Sequence, residues 1–142
     1  MVSPDLLQKA IIAKLKADGT LTAWLGARSS ADEIREESWQ GTEHKYPCVR
    51  VDMGQQEPDG TGNCRPTHSI VNFSVDVFSD EASSQECDQL LYFAFMALSD
   101  KKLSGDGFAV DRTNLVAATP SMRISERLWR ATARFTMNVR QT

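Results

Sequence analysis

Hydrophobic and polar positions along the chain follow two periods, and the changes of period mark out its elements. Near the start, Leu7, Ile11 and Leu15, with Ala10 beside them, recur at helical spacing, while Lys9, Lys14 and Lys16 take the wet side. Ser3 as a cap, Pro4 in the first turn and Asp5 at the positive end of the helix dipole predict a helix that runs to Asp18-Gly19. A shorter helical turn follows, capped by Thr20, carrying Leu21, Trp24 and Leu25, and stopped by Gly26. Residues 27–46 hold no period. There Asp32, Glu33, Glu36 and Glu37 outnumber Arg35, which reads as a solvated face anchored by Ile34 and Trp39.

The middle of the chain changes to a period of two. From Cys48 to Gln55, Val49, Val51 and Met53 face one way and Arg50 and Asp52 the other. From His68 to Phe78, Val71, Phe73, Val75 and Val77 alternate with Asn72, Ser74 and Asp76, the mark of a half-buried antiparallel strand. The Glu57–Asn63 stretch between them is rich in Gly, Pro, Asp and Asn and predicts an exposed hairpin loop. A second helix is predicted from about Glu81 to Ser99, capped by Ser79 or Asp80. Its Leu90–Leu98 segment is apolar all round, as expected of a helix covered on every side, by flanking segments or by a neighbouring subunit. After the Gly-containing turn at 104–107, Phe108–Ala118 and Leu128–Arg140 read as strands separated by a bend at Thr119-Pro120-Ser121-Met122. On the last strand Trp129, Ala131, Ala133, Phe135, Met137 and Val139 alternate with a polar set that includes Arg130, Arg134 and Arg140. The prediction is one α+β domain over residues 1–142: a mainly antiparallel sheet of about four strands with a β-hairpin, packed against two main helices.

Composition narrows the function. With 142 residues, 41% hydrophobic and 25% charged, the chain can bury a core without disulfides or metals. Its net charge of −3 disfavours free-standing nucleic-acid binding, which draws mostly on phosphate neutralisation. The longest apolar run is far short of a membrane span, and the N-terminus has no signal-peptide pattern, so no membrane is expected and the chain is predicted to stay in the cytosol that makes it. Three cysteines, Cys48, Cys64 and Cys87, are then expected as thiols. The pairs His44-x3-Cys48 and Cys64-x3-His68 are ligand types that zinc accepts. On the predicted hairpin, however, Cys48 lies opposite residue 72 or 73, which holds the two pairs apart. No nucleophile elbow and no phosphate-cradling glycine motif is present. Neither an enzyme nor any metal or cofactor is expected. Arg130, Arg134 and Arg140 share one face, as solvated residues or as contacts to carboxylates or phosphates.

The order of these elements carries a resemblance. Leu6-Leu7-Gln8-Lys9-Ala10-Ile11, Trp24-Leu25-Gly26, Tyr46-Pro47-Cys48-Val49-Arg50-Val51, Phe73-Ser74-Val75-Asp76-Val77-Phe78-Ser79 and the closing Ala133–Val139 strand together resemble the tail-completion, or tail-terminator, proteins of long-tailed bacteriophages. That resemblance implies a non-catalytic virion protein, made in the host bacterial cytoplasm. It implies a ring, usually of six copies, at the head-proximal end of the tail. One face would meet the major tail tube protein and the other the head connector or stopper protein, with DNA only in transit through the lumen. On this reading Leu90, Leu91, Phe93, Phe95, Met96, Arg130, Arg134 and Arg140 are candidates for a subunit or partner interface, and Gln56, Asp59, Gly60, Gly62 and Asn63 for a docking loop. The alternatives are another neck or minor tail protein, or a small binding module using the arginine face.

Overall fold

Leu7, Ile11 and Leu15 form the buried stripe of α1 (Pro4–Lys16), as their spacing predicts. The computed structural model describes residues 2–41, 45–58 and 68–142. Ser3 precedes α1 but does not cap it through its side chain; its hydroxyl donates instead to the Asp5 carboxylate. Helix α2 (Gly19–Arg28) is capped two positions earlier than Thr20, by Asp18, whose carboxylate accepts from the Leu21 N–H at 2.9 Å. It continues through Gly26 and buries Leu21 and Leu25.

A single turn of 3-10 helix, Ala31–Glu33, leads into β1 (Ile34–Glu36). Then come β2 (Cys48–Pro58), β3 (His68–Ser79), α3 (Gln85–Leu98), β4 (Leu103–Gly105), β5 (Phe108–Ser125) and β6 (Leu128–Gln141). The six strands among the described residues join one sheet in the order β1-β2-β3-β6-β5-β4. The β1–β2 pair is parallel and the other four pairs are antiparallel. The expected four-stranded, mainly antiparallel sheet on two main helices is therefore corrected to a mixed six-stranded sheet with three helices. Two causes are visible. β1 and β4 span three residues each, too short to show a period of two. The parallel pair arises because the acidic stretch after α2 runs along β2, setting Ile34 beside Val49 and Glu36 beside Val51.

Two boundaries also move. β2 extends to Pro58, so Cys48 pairs with Phe78 rather than residue 72 or 73. The bend expected at residues 119–122 does not end the strand: β5 continues through it to Ser125, and Pro120 falls where the register slips between Thr119 and Met122. A proline has no N–H to give a ladder, so an edge-strand bulge is where it is tolerated. β5 carries four such slips, and β4 covers only its Phe108–Val110 end.

The core lies between one face of the sheet and the three helices. Val49, Val51, Val71, Val75, Val77, Ala131, Ala133, Met137 and Val139 point into it from the strands, and Phe73 stacks on Phe135 across β3 and β6 with ring centroids 5.1 Å apart. Burying an aromatic or branched aliphatic side chain stabilises the fold by about 1.5–3 kcal/mol each, so this face holds the domain together. The opposite face, carrying Asp52, Asn72, Ser74 and Arg134, borders open grooves.

Candidate assembly surfaces

Helix α3 is not covered on every side. Leu90 and Leu91 are buried against the sheet together with Cys87, Ala94, Ala97 and Leu98, so the chain itself covers them. Phe93 and Phe95 are half-buried, and Phe93 meets the edge of Trp24 at 6.1 Å. Tyr92 and Met96, one turn apart, are 57% and 50% exposed. The apolar run is thus a wide stripe with an uncovered outer row. That row borders a shallow groove of about 300 Å³ between α3 and the sheet, lined by Leu91, Tyr92, Phe95, Leu115, Ala118 and Ala133, with Asp88 at its rim.

Among the described residues the large exposed hydrophobics are Tyr92, Met96, Leu115, Val116, Met122 and Ile124. Two stand on α3 and four on the long part of β5 that β4 leaves unpaired. Single exposed apolar residues are ordinary, but a concentration on one side of a domain marks a contact surface.

The structure does not gather the three arginines. Arg130, Arg134 and Arg140 share the outer face but pair with Phe78, Ser74 and His68 in turn. At about 3.3 Å per residue, roughly 13 Å and 20 Å separate successive members. Arg140 lies 3.5 Å from Asp111. Arg134 borders the same groove as Asp52, and next to Arg130 the Thr132 hydroxyl donates to Asp76 at 2.5 Å. A face of alternating sign is a poor phosphate track.

Of the docking-loop residues, Gln56 belongs to β2. Its amide exchanges hydrogen bonds with both backbone groups of Val2 and accepts from Ser69, at 3.0–3.1 Å. Asp59, Gly60, Gly62 and Asn63 lie outside the described residues, as do His44 and Cys64. Cys48 and His68 stand near opposite ends of the β2–β3 ladder. Among the described residues no group of three or more His, Cys, Asp or Glu is placed to hold a metal. No helix among them is long and apolar enough to cross a membrane. Burial pushes the Cys48 and Cys87 thiols up to about 12, which leaves them protonated and unreactive at neutral pH.

One constellation is not visible in the alternation. Arg50 and Glu33, which the pattern puts on wet faces, are both buried and ion-paired at 3.2 Å. Arg50 also donates to the backbone carbonyls of Glu33 at 2.7 Å and Val49 at 3.0 Å. Trp39 folds back over this part of the sheet, its ring 4.0 Å from the Arg35 guanidinium and 5.5 Å from that of Arg50. Around it, Glu37, Trp39, Tyr46, Cys48, Arg50 and Phe78 line a small groove of about 160 Å³ on the outer face. Burial, then the nearby Asp76 and Asp52 charges, push the Glu37 carboxyl above its ordinary value. The only signal in sequence is Arg50 itself, a lone cation between valines.

Comparison with known proteins gives these surfaces their setting. Among curated proteins none matches. A chain from the virion of a native gene transfer agent particle superposes with a TM-score of 0.72 at 18% identity, over 96% of each chain. A second solved chain superposes with a TM-score of 0.61 at 16% identity, covering 100% of this chain and 97% of the other. At such identities the likeness is one of fold. The family model described as tail completion protein gp17 matches residues 9–140. With nearly the whole sequence inside that match, the chain belongs to the tail completion protein gp17 family and is a structural component of a phage tail or its neck.

Proposed function

We propose that copies of this chain form a closed ring, of six subunits, at the head-proximal end of the tail. The ring caps the major tail tube protein, joins it to the head connector or stopper protein, and lets DNA pass without reading it. The chain is made in the host bacterial cytoplasm and acts by contact alone, without catalysis. The observation that carries this reading is the placement of the exposed large hydrophobics among the described residues, on the outer row of α3 or on β5 beyond its pairing with β4. A component that works by fitting between other proteins needs apolar surface that its own fold leaves open. Phe95 and Met96, with Tyr92 and Leu115, form the face for a neighbouring protein of the joint, while Leu90 and Leu91 support that face from within. The mixed charge of the outer sheet face fits polar contacts with other subunits better than a grip on DNA.

The test is to remove the protein from an assembling phage and image the products. The expected result is full heads accumulating beside unjoined tails, with the defect repaired by the wild-type chain and not by a Tyr92→Asp/Met96→Asp variant. Normal infectious particles in its absence would refute the assignment.

A further inference from the structure

The aromatic groove and the tip of the β5–β6 hairpin lie at the two edges of the sheet and at the same level. Cys48 pairs with Phe78, Phe78 with Arg130 and Arg130 with Met122, so a single rung of the ladder runs from the groove to the tip. Directly paired residues share a face of a sheet, which places Met122 on the same outer face as the groove. The groove offers partly open aromatic rings of Trp39, Tyr46 and Phe78 beside Glu37. Asp52, Asp76 and Asp80 act on groups in it, against the cations Arg50 and Arg130. Arg50, its main cation, is already held by Glu33. The tip has the opposite character: Met122 and Ile124 are 49% and 41% exposed, and Arg123 and Arg127 flank a single acid, Glu126.

We propose that the hairpin tip of one copy docks into the aromatic groove of the next, Met122 and Ile124 against the rings and Arg127 against Glu37. This contact rests on the ring reading above and specifies its subunit joint. The occupant is a second copy of this chain because both halves of the joint, the acid Glu37 among aromatic rings and the basic Arg127 beside apolar side chains, are on one molecule. They are on opposite edges, so the contact is head-to-tail and leaves a joined pair with one free groove and one free tip. Head-to-tail contacts generate either closed rings or open helices. The four register slips of β5 and its proline break the ladder at that edge, so the joint is made by side chains rather than by adding a strand.

Two defective chains test the contact. Met122→Asp/Ile124→Asp spoils the tip and keeps the groove; Glu37→Arg spoils the groove and keeps the tip. All three changes are at exposed positions, and retained thermal unfolding midpoints confirm the folds. By light scattering the wild-type chain is expected to form a closed oligomer. Glu37→Arg weakens association about tenfold or more, since like charges set together across an interface repel strongly. Each variant alone runs at the 15.8 kDa of the single chain. An equimolar mixture of the two gives a dimer and nothing larger, because only one intact joint can form. Adding Arg127→Glu to Glu37→Arg restores the oligomer. If the wild type is oligomeric and both variants remain so, the contact is wrong while the ring stands. A wild type that stays at single-chain mass at every concentration refutes the contact, and the particle experiment above then decides the ring separately.

Discussion

The buried Arg50–Glu33 pair is the sharpest place to test how the β1–β2 edge is held. Replacing Arg50 with Met removes the 3.2 Å ion pair and the two bonds to the Glu33 and Val49 carbonyls, and leaves the Glu33 carboxylate 5% exposed with no cation to meet it. Breaking a buried pair from one side costs about 3–5 kcal/mol, most of it the isolated charge rather than the lost attraction. Against a total stability of about 5–15 kcal/mol this is a large fraction. For a domain of this size it lowers the unfolding midpoint by roughly 10–20 °C. Adding Glu33→Gln to Arg50→Met should recover most of the loss, because no buried charge then remains. Chemical denaturation of the wild type, both single variants and the double variant gives the coupling directly. If Arg50→Met alone costs less than about 1 kcal/mol, the scale of a surface pair, or if the two losses simply add, the pair does not hold the β1–β2 edge.

Other outcomes follow from the same geometry. Phe135→Ala empties the centre of the core and breaks the 5.1 Å stack on Phe73, so urea unfolding should show a loss of about 3–5 kcal/mol. Tyr92→Ser and Met96→Ser, on the open row of α3, should change stability by no more than about 0.5 kcal/mol while lowering the yield of joined particles. Glu86 is buried beneath Ser79 and Arg28, and its burial raises the carboxyl above the ordinary 4.5. A carboxyl raised in the folded state contributes stability that is fully present below the unfolded value and lost as pH rises through the folded one. Glu86→Gln should therefore be at least as stable as wild type at pH 7, with the difference shrinking toward pH 4 in thermal melts. A thiol reagent at pH 8 should leave Cys48 and Cys87 unlabelled until the protein is unfolded, as read by intact mass.

Much of the fold was legible where burial is one-sided. The period of two on β3 and β6 and the Leu7–Ile11–Leu15 stripe point at the core as the alternation says, because one face meets the core and the other meets water. The order of those elements also carried the family resemblance that the match over residues 9–140 establishes. What stayed hidden has a common cause. β1 and β4 owe their existence to a neighbouring strand rather than to their own residues, since three positions cannot express a period. Arg50 and Glu33 look like surface charges until Trp39 folds over them, a contact set by tertiary placement. Residues 90–98 read as buried all round because hydrophobicity does not distinguish a residue facing its own core from one left open, and only the packing sorts Leu90 from Met96. The arginines of β6 share a face by parity, yet their acidic neighbours come from β3 and β5 and so leave no trace on β6 itself.

The broken ladder of β5 bears on how such a protein survives before it is used. A long, apolar strand at the rim of a sheet is ordinarily a seed: identical copies stack on it without limit, and a crowded cell collects fibres. Here every few residues the spacing slips, and at Pro120 a donor is missing altogether, so no copy can lie flush along the rim. The side chains stay free to recognise a shaped partner while the backbone refuses indiscriminate growth. A subunit built this way can accumulate to high concentration as finite assemblies of defined shape rather than as fibres.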